Sequence, residues 1–92
     1  MKIIFTETFY EDLRNIWDFI ASDNPTKATE VTEEIIEYCL KYLSVAPQMW
    51  QTVEKSPEIR KLTGPYEYSI VFQRTEESVF VLMVYKWAQR KW

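Results

Sequence analysis

The sequence predicts an α+β domain: an N-terminal strand, then an antiparallel two-helix hairpin packed on an antiparallel β-sheet of three C-terminal strands. Three observations predict it. Apolar residues recur at helical spacing from Phe9 to Ile20 and again from Ala28 to Leu43. From Glu58 onward the pattern changes to β-type runs. Turn signals at Gly64-Pro65 and Thr75-Glu76-Glu77 divide those runs.

The elements follow in order. Lys2–Phe5 is short and β-branched, a strand that adds to the sheet at its edge or centre. Thr8 and Glu11 have the spacing of a capping box, a hydroxyl followed three residues later by a carboxylate. Phe9, Leu13, Ile16, Trp17 and Ile20 form the apolar stripe of a first helix, about Thr8 to Ser22. Asn24 can cap the next helix, and Pro25 suits its first turn, where a missing N–H costs nothing. Ala28, Val31, Ile35, Tyr38, Cys39 and Tyr42 lie on one side of that helix, and Ile36, Leu40 and Leu43 widen the sector. Glu30, Glu33, Glu34, Glu37 and Lys41 form the wet side, with Glu37 and Lys41 a favourable i,i+4 pair. Pro47 ends the helix. Ala46–Pro57 is an irregular connection pinned by Met49, Trp50 and Val53. The strands then span about Glu58–Leu62, Tyr66–Arg74 and Ser78–Trp87. Alternation puts Tyr66, Tyr68, Ile70 and Phe72 on one face. Val79–Val84 is apolar at every position, as a strand covered on both faces would be.

Ninety-two residues make a single domain, 1–92, without repeats or linkers. A chain this short buries only roughly 60–65% of its unfolded surface, so its core must be rich. It is, at 47% hydrophobic and 16% aromatic. That many aromatics leaves some for a partner surface. Charge is uneven: residues 1–50 hold four Lys/Arg against nine Asp/Glu, and residues 51–92 hold seven against five. The net of −3 argues against a strongly basic nucleic-acid binder and confines any anion site to the C-terminal part. No secretory signal is visible, and the seven-residue run Val79–Tyr85 cannot span a bilayer. A cytoplasmic protein that makes no membrane contact is the expectation.

Much chemistry is missing. There is no histidine, so the commonest general base and metal ligand is gone. One cysteine, Cys39, excludes an intrachain disulfide and a thiolate zinc site, and it falls on the apolar stripe as a small core residue. One glycine, Gly64, excludes a phosphate-binding glycine loop. The four glutamates of the second helix are a solvated face and not a metal cluster. No metal and no cofactor is expected.

The remaining candidates are cationic and aromatic. Arg60 and Lys61, adjacent on a strand, point to opposite faces. Lys86, Arg90 and Lys91 interleave with Tyr85, Trp87 and Trp92, cations suited to phosphates and rings suited to stacking. Against this, adjacent cations on an edge strand also serve to discourage edge pairing.

The landmarks in combination resemble the RelE/ParE superfamily of bacterial toxins, and its ParE-like branch most. Phe5-Thr6-Glu7-Thr8-Phe9-Tyr10-Glu11-Asp12-Leu13 is similar to the opening of ParE-like members. Asp23-Asn24-Pro25 with Ala28 matches their inter-helix turn, and Leu43-Ser44-Val45-Ala46-Pro47 the end of their second helix. Ile59-Arg60-Lys61-Leu62, Tyr68-Ser69-Ile70-Val71-Phe72 and Val79 through Arg90 match the last strands and basic tail.

The resemblance implies the toxin of a type II toxin–antitoxin, plasmid-stabilisation module. Such a toxin is neutralised by an antitoxin whose disordered or helical C-terminal part wraps it. It also implies one of two targets, DNA gyrase for ParE-like members or ribosome-bound mRNA for RelE-like nucleases. The nucleases carry basic residues near the positions of Ser69 and Trp87, and this chain does not. Tyr85 stands near the place of a histidine that many members have. The expectation is therefore a non-enzymatic growth inhibitor that binds gyrase through Arg60, Lys61, Lys86, Trp87, Arg90 and Trp92. One alternative is a metal-independent endoribonuclease led by Arg60, Tyr85, Lys86 and Arg90. Another is a degenerate, non-toxic module that only binds an antitoxin. A homodimer or a hetero-oligomer with the antitoxin is the expected assembly.

Overall fold

The computed structural model describes residues 2–43, 51–53 and 56–86. Strand β1 (Lys2–Phe5) leads into helix α1 (Glu7–Ala21), then helix α2 (Pro25–Tyr42). Strands β2 (Gln51–Val53), β3 (Ser56–Thr63), β4 (Ser69–Arg74) and β5 (Ser78–Tyr85) follow, with a 3-10 turn at Pro65–Glu67 between β3 and β4. One five-stranded sheet forms in the order β1-β5-β4-β3-β2. The three C-terminal strands pair antiparallel as expected, and β1 joins β5 in parallel at the edge.

The helices cover one face of the sheet. Phe9, Leu13 and Ile16 from α1 meet Val31, Ile35 and Cys39 from α2 over Leu62, Ile70, Phe72, Val79, Val81 and Val84. These apolar side chains supply most of the driving force for the fold. Asn24 caps α2 by accepting from the Lys27 amide, with Pro25 in the first turn, as the sequence suggested. Among the described residues the salt bridge within α2 joins Lys27 to Glu30 at 3.9 Å.

Four local expectations are corrected. The residue capping α1 is Thr6, whose Oγ1 accepts from the Phe9 amide at 3.2 Å, and Thr8 sits exposed in the first turn. The connection is not wholly irregular: Gln51–Val53 pairs antiparallel with β3, and Ser56-Pro57 already belongs to β3. Tyr66 does not join the alternating face of β4. It and Glu67 take the left-handed region, with φ of 58° and 64°, and turn the chain. Leu40 widens the apolar sector of α2 but is 51% exposed. Met49, Trp50 and the Trp87 end of the last strand lie outside the described residues.

Candidate functional site

The register assigns each candidate to a face. Directly opposed residues of an antiparallel pair share a face, and neighbours along a strand alternate. Arg60 pairs with Phe72, and Phe72 pairs with Val81, both in the core under the helices. Arg60 therefore belongs to the helix-covered side. Lys61 pairs with Val71, and Val71 with Met83, on the opposite side. The split that alternation predicts for Arg60 and Lys61 is present.

Tyr85 pairs with Ser69, which lies between the core residues Tyr68 and Ile70 and so faces away from the helices. Tyr85 thus shares its side with Lys61, not with Arg60. Lys86 returns to the helix side, where its ammonium sits 4.9 Å from the centre of the Tyr68 ring. Arg60 and Lys86 stand four residues apart along the strands and two strands apart across them. At about 3.3 Å per residue and about 4.8 Å per strand, their Cα atoms are roughly 16 Å apart. Arg90, Trp87 and Trp92 lie outside the described residues. The described candidates are therefore distributed over two faces. A proton donor must lie within hydrogen-bond reach of the leaving oxygen, and cations that stabilise a phosphorane must converge on it. Tyr85, Arg60 and Lys86 do not make such a group in this geometry.

The end of β5 is held by contacts that sequence patterning did not reveal. β1 pairs with β5 only from Ser78 to Val81. Past that point the chain of β1 has turned into α1, and side chains from this corner take over the backbone of β5. Thr6 Oγ1 donates to the carbonyls of Val81 (2.9 Å) and Leu82 (3.1 Å). The Val84 amide donates to Asp12 Oδ2 at 3.2 Å. The register of β4 against β5 shifts here, from Phe72 opposite Val81 to Val71 opposite Met83, which makes Leu82 the extra residue of a bulge. No local pattern marks Asp12 for this role, because its partner is 72 positions away.

The β3–β4 turn is tied to α2. Lys27 Nζ lies 3.4 Å from the Tyr66 hydroxyl and 5.0 Å from its ring centre. A hydrogen bond to Glu34 raises the Tyr66 hydroxyl above its ordinary pKa, and the bond to Tyr66 raises the Lys27 ammonium. The Cys39 thiol, fully buried, is pushed up to about 12 by loss of solvent and is no nucleophile at neutral pH.

Among the described residues, surface depressions lie beside the hairpin. One, of about 650 Å³, is lined by Tyr10, Leu13, Arg14, Trp17, Asp18 and Thr32. A smaller one, of about 290 Å³, is lined by Glu34, Glu37, Tyr38, Lys41, Tyr42 and Pro65. Among the described residues no three His, Cys, Asp or Glu side chains come together as a metal ion would require. No described helix is long and apolar enough to cross a membrane.

Comparison with known proteins gives a family-model match and solved structures of similar fold. The family model described as the ParE toxin of the type II toxin–antitoxin system parDE matches residues 3–90. Among solved structures, a chain of the chromosomal ParDE system from P. aeruginosa superposes with a TM-score of 0.79 at 24% identity, covering 94% of this chain and 95% of that one. A chain of the toxin–antitoxin complex RelBE2 from Mycobacterium tuberculosis superposes with a TM-score of 0.67 at 17% identity, covering 91% and 94%. No curated protein sequence matches.

Proposed function

We propose that this chain, which belongs to the ParE toxin family of type II toxin–antitoxin systems, arrests growth by binding DNA gyrase and is held inactive by a cognate antitoxin. Membership makes it a toxin-type domain, and the two solved relatives come from toxin–antitoxin systems. The choice of target rests on one observation, the division of Arg60 and Tyr85 between opposite faces of the sheet. A surface so divided supports binding better than phosphodiester cleavage. The acidic net charge of −3 also supports a protein target over ribosomal RNA. The target-binding set is Arg60, Lys61 and Lys86, with Trp87, Arg90 and Trp92 of the tail.

Controlled expression in a bacterium tests this, with the DNA-damage response and mRNA integrity followed together. A damage response with intact mRNA is the expected result. Codon-phased mRNA cuts would overturn the gyrase reading in favour of a nuclease. Absence of any growth defect would leave the non-toxic, antitoxin-binding alternative. Arg60→Ala should weaken toxicity more than it weakens antitoxin binding. Equal loss of both, with unfolding, would make Arg60 a structural residue.

A further inference from the structure

We infer that the depression between the C-terminal half of α2 and the β3–β4 turn binds a linear aliphatic polyamine. The inference concerns a small cationic ligand and stands apart from the choice of toxin target. The depression has a volume of about 290 Å³ and is lined by Glu34, Glu37, Tyr38, Lys41, Tyr42 and Pro65. Helical spacing orders five of these in two stripes. Glu34, Tyr38 and Tyr42 follow one another at i, i+4 and i+8, and Glu37 and Lys41 run beside them at i and i+4. Pro65, from the turn, lines the depression from the other side. The first stripe runs carboxylate, ring, ring over about 12 Å of helix. Its groups are held before a ligand arrives. The ring centres of Tyr38 and Tyr42 are 4.5 Å apart with planes at 45°. The Tyr38 hydroxyl donates to the Thr63 carbonyl at 3.4 Å, and its ring packs against the core. Glu34 accepts from the Tyr66 hydroxyl, which ties the acidic end of the stripe to the turn.

The chain's own side chains show which chemistry this surface takes. The Lys41 ammonium lies 5.2 Å from the centre of the Tyr42 ring. A tyrosine face attracts a cation through its quadrupole. Two carboxylates of the lining stand against that one ammonium, so the depression keeps a net negative charge. Glu34 and Glu37 repel an anion, and an apolar ligand would strip water from them without compensation. A metal ion is poorly served, because among the described residues no three His, Cys, Asp or Glu side chains come together. A polyamine alternates ammonium groups with methylene stems. Its ammonium groups suit the carboxylates at one end and the Tyr42 ring at the other, and its methylenes suit Tyr38 and Pro65. The cation over Tyr42 takes the place of Lys41, whose long side chain regains rotamer freedom on release.

The test is a calorimetric titration of spermidine into the purified full chain at low salt. Saturable binding of one molecule per chain is expected. Glu37→Gln should raise the Kd several-fold, and so should Tyr42→Ala. Lys41→Met removes the internal competitor and a like charge, and should tighten binding, an effect that loss of folding cannot mimic. Glu11→Gln removes the same charge as Glu37→Gln from an exposed position outside the lining, and should leave the Kd unchanged. Absence of saturable binding would overturn the inference. Equal weakening by Glu37→Gln and Glu11→Gln would also overturn it, by reducing the binding to attraction by net charge. Displacement of spermidine by an equal concentration of Mg²⁺ would give the site to a compact divalent ion and refute the polyamine assignment. Growth arrest is not read in this assay, so its failure leaves the toxin reading untouched.

Discussion

Replacing Thr6 by Val should cost this fold about 2 kcal/mol, because one hydroxyl serves both a helix start and a strand end. Valine keeps the branched shape and suits the extended backbone at this position (φ −78°, ψ 165°). Only the hydroxyl is lost. As an acceptor, it caps α1 through the Phe9 amide at 3.2 Å. Loss of an N-cap costs about 1 kcal/mol. As a donor, it serves the carbonyls of Val81 and Leu82, at 2.9 and 3.1 Å. One proton shared between two oxygens counts as one hydrogen bond, again about 1 kcal/mol. In a domain of this size the sum lowers the melting temperature by roughly 8–16 °C. Urea denaturation followed by far-UV circular dichroism should show a lower midpoint, and Thr8→Val, at an exposed first-turn position, should shift it by under about 0.5 kcal/mol. If Thr6→Val costs under about 0.5 kcal/mol, or if Thr8→Val costs as much, the assignment of the cap and of the corner contact is wrong.

Three further outcomes are expected. Asp12→Ala leaves the part-buried Val84 amide without its acceptor and should cost about 1–2 kcal/mol. Combined with Thr6→Val it should be non-additive by at least about 0.5 kcal/mol, because both side chains hold the same stretch of β5. Glu67→Gly relieves a non-glycine residue at φ 64° and should stabilise by about 0.5–1 kcal/mol in the same assay; a loss would show that the Glu67 side chain holds the turn. The Cys39 thiol has an ordinary value of 9.0 in the unfolded chain and about 12 in the fold. Its contribution is therefore complete below pH 9.0 and is lost as pH rises toward about 12. Above pH 9.0 wild type should lose up to about 1.4 kcal/mol per pH unit more than Cys39→Ala, and equal slopes would mean that the thiol is not shielded.

Where local chemistry decided the structure, the sequence was a sufficient guide. Asn24-Pro25 opens α2 because a side-chain acceptor and a ring without N–H suit adjacent positions of a helix start. The buried stripe Phe9, Leu13, Ile16 follows from helical spacing alone. Departures arose where a distant partner decided. Thr6 and Thr8 are both plausible caps locally, and Thr6 prevails because its hydroxyl also reaches the carbonyls of β5. Gln51–Val53 carries no distinctive pattern and is a strand only because β3 offers it an edge. Tyr66 fits the alternation of β4, yet the hairpin needs left-handed residues at that point and α2 supplies Lys27 and Glu34 to hold the ring.

The candidate site turns on the same distinction, at a single residue. Strict alternation from Val79 would run through Val81 and Met83 and place Tyr85 on the helix-covered face, with Arg60. The extra residue Leu82 inverts the order, so that Val84 enters the core and Tyr85 turns to the side of Lys61. Thr6 binds the Leu82 carbonyl and Asp12 binds the Val84 amide, one on each side of the inversion. The start of the chain therefore governs which face the end of the chain presents. Loosening that corner should change the presentation of Tyr85 and Lys86 before it unfolds the sheet. Fluorescence quenching of the C-terminal aromatics in Thr6→Val should then depart from wild type at urea concentrations below the global transition. Coincident transitions would mean that the corner and the sheet melt as one unit and that the inversion is fixed by core packing alone.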